Sequence, residues 1–475
     1  MRRTSIQQQD KENEMEKPKL MNLMPMLLLQ MLIWKGLGTK RVGLPMMMDD
    51  DYFFDEEDAL TSIYPDNLDE SFDIGGLSRV TKDQFRRGCD PQGIRWDQIN
   101  ITRSTYRNQR LLQYENYENL DDSARPRPHS SLKAEIDSHV TNRGHSFYEF
   151  ENSEKQARAN IVHFQLRNLV WATTSHDVFV TQISLDALHM STMCVQGSIC
   201  VAGGFFGDLV CVKLPSDIHS DDFTRASSPD TGKVLFSEKI TSDENAITNS
   251  ILLQRFTMGL LCGQSLNKRQ SKQGALEAVI TNNDSQIRIL DVDNSFREVN
   301  RMHFPWPVNF ATLSPDRNLV CVLGDSTECM LMDVTTSRRV AVCDMHLDYS
   351  FAAAWHPDGN IFATGNQDKT ARIWDRRMMR CLATLGGRLG AIRSLRFTED
   401  GRYMAMAEPA DFVHIFDVKS NFENVQEIDI FGEIAGISFS PEDDALFVGI
   451  SDRMYGTMMQ YRRKLNGLYD FDLLP

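Results

Sequence analysis

The sequence predicts an all-β fold: a seven-bladed β-propeller preceded by a largely disordered acidic N-terminal region with a short helix. Two spacings carry this expectation. Turn signals at Ser314-Pro315-Asp316, His356-Pro357-Asp358-Gly359, Thr398-Glu399-Asp400-Gly401 and Ser440-Pro441-Glu442-Asp443 put positions 315, 357, 399 and 441 at intervals of 42. A second series, Leu290-Asp291, Met332-Asp333, Trp374-Asp375 and Phe416-Asp417, sets its aspartates 42 apart as well. Where both marks occur in one repeat they are offset by 18 residues. Two independent marks on one period of this length are the signature of a repeat architecture.

One repeat shows how its residues make four strands. Residues 351–356 (FAAAWH) form the first. Pro357-Asp358-Gly359 turns the chain, because proline fixes φ and glycine permits positive φ. Residues 361–365 and 370–374 are the second and third strands, and the run after Asp375 supplies the fourth. Four short strands in about 40–45 residues make a propeller blade, which must stack on neighbours to bury both its faces. Further units fall at about 161–186, 192–214, 245–294, 307–340, 347–382, 389–424 and 432–463, seven in all. Closing the ring needs a strand from one end to pair with the other. Phe147 to Phe150 pairing near Met458 to Tyr461 is the expected closure, which also removes a free sheet edge.

The stretch ATGNQDKTARIWD (363–375) resembles the signature of the WD-repeat, or transducin β-like, family. By that resemblance His346, Asp368 and Trp374 form a structural hydrogen-bond network within one blade. Met345 stands where the family has glycine, and the other units lack the Trp-Asp pair. Beyond the repeats, residues 90–120 and 161–179 resemble a group of plant and fungal WD-repeat proteins of poorly defined function. The resemblance covers about residues 85–465 and leaves 1–48 outside it. It implies a non-enzymatic, regulatory protein-interaction scaffold in nucleus and cytoplasm.

The chain ahead of the repeats divides by composition. Residues 1–48 are an atypical extension whose apolar run, Leu20 to Trp34, has 15 residues and is interrupted by Asn22, Pro25 and Gln30. A membrane span needs about 20 residues, so no stable membrane association is expected. Leu20, Leu23, Leu27 and Leu29 have the spacing of a leucine-rich export signal, which would make an export receptor a partner. Residues 49–84 are read as an acidic disordered segment: 49–73 hold eleven acidic residues and no Lys or Arg, and such self-repulsion disfavours compaction.

Residues 85–122 are read as a helical segment. Asn100 or Thr102 caps it, and Tyr106, Arg110, Tyr114 and Tyr117 share a face. Its cluster Arg103, Arg107 and Arg110 offers either packing onto the following domain, the favoured reading, or a partner or phosphate contact. A polar linker spans 123–146, the propeller 147–465 and a tail 466–475.

A net charge of −15 argues against general nucleic-acid binding, because neutralising phosphates needs a basic surface. Nine cysteines without a Cys-x-x-Cys pair read as free thiols in a reducing compartment. There is no phosphate loop, zinc-protease motif or nucleophile elbow. His189, Cys194 and Cys200 lack metal-ligand spacing. No catalytic residue, cofactor or metal is therefore expected, and an enzyme with a site in the propeller channel is the weakest alternative. A stronger one is a substrate receptor of a cullin-RING ubiquitin ligase: Trp374, Asp375 and Arg377 resemble the Trp-Asp-x-Arg motif by which some WD-repeat proteins dock on that ligase's adaptor. Ser228, in a polar insertion, is a candidate phosphosite whose modification would add about −1.5 to −2 charge.

Overall fold

The structure is a computed structural model. It describes residues 31–35, 38–41, 77–155, 157, 168–181, 190–214, 234–257, 273–452 and 455–464. The export-type leucines Leu20, Leu23, Leu27 and Leu29, and Ser228, lie outside the described residues.

Antiparallel sheets of consecutive strands dominate. Met190–Gln196, Ile199–Gly204, Asp208–Lys213 and Val234–Lys239 form one four-stranded sheet. Others follow at Thr248–Thr257 to Arg297–His303, Val308–Leu313 to Arg339–Cys343, and Ser350–Trp355 to Arg380–Gly386. A nine-stranded sheet runs from Ser394–Phe397 through Thr457–Arg463 to Tyr148–Glu154 and Arg79–Thr81. Its 16-residue strand Asn424–Phe439 serves two units: Val425 to Asp429 pair with Ala410–Asp417, and Glu433 to Phe439 pair with Ala445–Ser451.

Burial explains the strand sequences. Leu319–Gly324 (LVCVLG) is buried at every position because sheets cover both its faces, so it reads as a continuous apolar run. Outer strands such as Arg297–His303 (REVNRMH) are exposed at most positions and carry charge. Apolar layers join each sheet to the next. Cys329 and Leu331 meet Ala353, Trp355, Phe362 and Trp374 between the third and fourth of these sheets. Ala435, Ala445, Phe447 and Met458 pack in one layer with Leu169, Val170, Met190 and Met193, so the last sheet meets the sheet of Val170–Ala172, which in turn meets Met190–Gln196.

The 42-residue period recurs in the backbone. Arg317, Gly359, Gly401 and Asp443, each 42 apart, take φ of 61°, 72°, 66° and 61°. Glycine adopts this left-handed region freely, and two units reach it without glycine.

The closing strand is where the sequence places it. Tyr148–Glu154 pairs antiparallel with Thr457–Arg463, Phe150 opposite Tyr461 and Asn152 opposite Gln460. Three expectations differ from what is found. Residues 79–84, at the end of the stretch read as disordered, hold the strand Arg79–Thr81 on the closing strand and the start of helix α1 (Lys82–Arg86), which runs two residues into the segment read as helical. Thr81 caps α1 in a reciprocal capping box with Gln84, a local signal that the acidic composition upstream obscures. The stretch read as a linker holds a ten-residue helix, His129–Ser138. Finally, Met31–Lys35 and Gly38–Arg41 pair with each other and extend the sheet of Val170–Ala172 and Asp177–Thr181.

Candidate functional site

His346, Asp368 and Trp374 come together through a fourth residue. Trp374 Nε1 donates to the Thr364 hydroxyl at 2.8 Å, and that hydroxyl lies 2.8 Å from His346 Nε2. The Asp368 carboxylate on the far side of the ring can only accept, so the neutral histidine carries its proton on Nδ1 and the hydroxyl donates to Nε2. Nδ1 is 3.0 Å from Asp368 Oδ2, which also accepts from the Leu347 N–H at 3.0 Å. Asp368 Oδ1 accepts from the Thr370 N–H and hydroxyl at 3.0 and 2.6 Å. Burial holds the His346 imidazole below the ordinary histidine range, against the pull of Asp368. Burial raises the Asp368 carboxyl, and His346, Thr370 and the Leu347 N–H together outweigh it, leaving it below the usual range. The chain ties the second and third strands to the loop entering the unit. Thr364 was missed because a threonine inside an apolar strand reads as a β-branched filler.

The Trp-Asp-x-Arg residues separate by environment. Trp374 is 1% exposed, so it cannot itself touch a partner, and that part of the expected contact is corrected. Asp375 Oδ1 accepts from the Arg377 and Met378 N–H groups at 2.8 and 2.9 Å, which lowers its carboxyl. Asp291, Asp333 and Asp417 accept from N–H groups two or three residues on in the same way. The aspartate series is thus a series of turn caps. Arg377 is exposed.

The most elaborate site is a strap, residues 90–147, laid across the loops at one end of three units. Gln92 opens it by donating to the Phe431 carbonyl at 2.7 Å and accepting from the Phe431 N–H at 2.6 Å. Helix α2, Arg103–Gln113, follows; of its two candidate caps it uses Thr102, which accepts from the Thr105 N–H. Its arginines, at spacings of 4 and 3, share one face. Arg107 bonds Asp411 at 2.6 Å, Asp429 at 2.7 Å and the Ile430 carbonyl, with its guanidinium 4.6 and 4.2 Å from the Phe412 and Phe431 ring centres. Arg110 binds Asp411 through two nitrogens, and Arg103 binds Asp429 at 2.9 Å. Asp411 is fully buried and also accepts the Gly432 N–H. The arginine cluster is therefore consumed in packing, and the partner or phosphate reading is corrected. Tyr106 packs on Phe431 and meets the Tyr455 hydroxyl at 2.9 Å. Tyr117 lies beyond the helix end and is exposed, so it leaves the expected face.

Past α2 the strap turns to the WD-signature unit. Asn116 joins the Gln367 carbonyl and the Ala391 N–H at 2.9 and 3.0 Å. Asn119 donates twice to the Asp348 carboxylate. Arg127 donates to the Met345 carbonyl and to Glu135 of helix α3, His129–Ser138, and Glu135 reaches the buried Arg372 at 2.8 Å. Sequence reasoning missed Asp411, Asp429 and Arg372. Their one available signal was a helix face of three arginines, which needs carboxylates somewhere.

Among the described residues no group of three or more His, Cys, Asp or Glu is placed to hold a metal ion. Among the described residues a pocket of about 360 Å³ lies beside Ile136, His139, Thr384, His414 and Phe416, and a smaller one, lined by Asn249, Phe310, Phe351, Arg393 and Arg396 on the inner strands, holds about 10 Å³. That is close to the least a single water needs.

A family model for the WD domain, G-beta repeat, matches residues 338–375, the unit that holds the His346 network. Pre-mRNA-processing factor 19 homolog 2 of Arabidopsis thaliana is 31% identical over 32% of this chain and 29% of its own length. THO complex subunit 3 of the same plant is 23% identical over 41% of this chain and 60% of its own. The chain spans two thirds or less of the curated relatives it matches. A chain in the crystal structure of the mitotic checkpoint complex superposes with a TM-score of 0.50 over 73% of this chain and 97% of that one, at 14% identity, a likeness of fold. Stacked antiparallel sheets on a 42-residue period, with the repeat's own hydrogen-bonded signature at 346–374, place this chain among the WD-repeat β-propeller proteins.

Proposed function

We propose that this chain is a non-enzymatic, regulatory protein-interaction scaffold built on seven blades and acting in nucleus and cytoplasm. The observation that carries the reading is the strap. A buried ion-paired helix fixes one sector of the loop face, and the loops at the same end of the neighbouring units, 240–247, 282–286 and 324–328, are the surface this reading assigns to a partner. Loops on a rigid scaffold are where binding function concentrates. Relatives named as a pre-mRNA-processing factor and a subunit of the THO complex support assembly into protein complexes, and support the nucleus as a site of action. Among the described residues no helix is long and apolar enough to cross a membrane.

The second reading is a substrate receptor of a cullin-RING ubiquitin ligase. Exposure of Arg377 at a strand end favours it, since arginine there can make bidentate contacts. Affinity purification with cross-linking and mass spectrometry, comparing wild type with Arg377→Ala at matched expression, separates the two. A scaffold keeps its partners in both samples, cross-linked to the loops at 240–247, 282–286 and 324–328. A receptor recovers the ligase adaptor with wild type and loses it with the variant.

A further inference from the structure

In four sheets of this fold, four strands follow one another along the chain, and one is different. The sheet of Val170–Ala172 and Asp177–Thr181 takes its other two strands, Met31–Lys35 and Gly38–Arg41, from the N-terminal extension. Length explains why. Asp177–Thr181 is the second strand of its sheet, and elsewhere the chain has 25 residues between the end of a second strand and the start of the next unit: 283–307 after Gln273–Asn282, and 325–349 after Leu319–Gly324. Those intervals hold a third and a fourth strand of five to seven residues each and the return to the ring's centre. After Asp177–Thr181 only residues 182–189, eight in number, precede Met190–Gln196. At about 3.3 Å per residue, eight residues cannot both run back along a strand and cross to the inner position.

The strand left without a neighbour lies deep in the fold. Val178 and Phe179, which point to opposite faces, are 0% and 1% exposed. A strand covered on both faces carries a backbone edge that must be paired, because buried N–H and C=O groups left unmet are costly. Met31 to Lys35 meets this edge antiparallel in unbroken register, Leu32 opposite Val180, Ile33 opposite Phe179 and Trp34 opposite Val178.

We propose that the edge of Asp177–Thr181 is a strand-acceptor site and that Met31–Lys35 is its ligand in cis, with Gly38–Arg41 as the next strand out. The N-terminal extension is then a donor strand that completes a unit too short to complete itself. The chemistry recognised is that of strand addition: an extended apolar segment held by main-chain hydrogen bonds in one register. It also gives the otherwise atypical residues 31–41 a role within the propeller.

Cross-linking in the full-length protein tests it. Met31→Cys with Thr181→Cys joins directly opposed positions, and Leu32→Cys with Thr181→Cys is the register-shifted control; the parent and single variants report the background of native thiols. Under diamide the first pair is expected to form an intrachain disulfide, found by peptide mapping, and the control not to. Hydrogen exchange on full-length Ile33→Pro gives a second measure, since proline removes a ladder N–H. Amides of 177–181 should lose protection by about tenfold or more while those of 350–386 hold theirs. Equal cross-linking in both registers, no cross-link, or unchanged protection at 177–181 would overturn the proposal. A disulfide between two chains would overturn the cis assignment and make a second copy the donor.

Discussion

At the scale of residues, one threonine hydroxyl decides how the signature unit is held. Thr364→Val keeps the shape and removes the link between His346 and Trp374, leaving a buried N–H and a buried imidazole nitrogen unmet. Unfolding by denaturant should show a loss of about 1–3 kcal/mol, the cost of such unmet groups. The same chain makes the protein acid-sensitive. The folded state holds His346 neutral below its ordinary range, whereas an unfolded histidine takes up a proton near pH 6.5. Its contribution is complete above that pH and is lost as pH falls toward the lower folded value. Asp368, also lowered, acts in the same direction only near pH 4 and below. Thermal midpoints measured from pH 7 to 5 should therefore fall more steeply for wild type than for His346→Gln. His346, Asp368 and Trp374 were legible because the motif carries them at fixed spacing. Thr364 was not, since nothing in its neighbours distinguishes a bonding hydroxyl from a strand residue. A smaller effect belongs to Ser295, an exposed residue at φ 52°. Ser295→Gly relieves a left-handed conformation that costs about 1–2 kcal/mol and adds about 0.5–1 kcal/mol of backbone freedom to lose, for a net gain of about 0–1.5 kcal/mol in the melt.

At the scale of elements, the strap helix α2 stands or falls with Arg107, whose guanidinium lies between two phenylalanine rings and serves two carboxylates. Arg107→Met should cost about 3–5 kcal/mol, because it strips one partner from the wholly buried Asp411. Asp429→Asn should cost less, since Asp429 is 30% exposed and water can replace part of what it loses. Paired denaturation curves check both. The helix itself was legible from Thr102 and the face that follows; its receptors were not, because Asp411 and Asp429 lie about 300 residues away, in strands whose pattern names no partner. Helix α3 was missed for a different reason. Pro126, Pro128 and the serines read as loop, yet a proline at the start of a helix costs no hydrogen bond. Pro128 holds the cap position, and the buried Leu132 with Ile136, which rests on Gly386, forms the packed face.

At the scale of the whole molecule, stability is shared between neighbours and closed by a seam. Sheets in a repeat array hold one another through nearest-neighbour contacts, and here the layer of Phe447, Met458 and Val170 joins last to first. Phe447→Ala should lower stability by about 3–5 kcal/mol. If the ring unfolds as one body, calorimetry of that variant should show a single displaced transition rather than an early separate one. The repeating period was legible because every unit repeats one local problem. The seam was half legible: the strand near 148 could be named, whereas the borrowed strands at 31–41 belong to no repeat.

The closing strand has a consequence in time. Asn152 bonds Gln460 across a separation of 308 residues. On a ribosome adding about 5–20 residues per second, one half of that bond waits roughly 15–60 s for the other to be made. Throughout that interval the nascent chain carries an unpaired strand with alternate apolar residues, the kind of edge that invites aggregation. The birth of this ring therefore depends on something holding residues 148–154 apart from other chains until residue 460 has emerged.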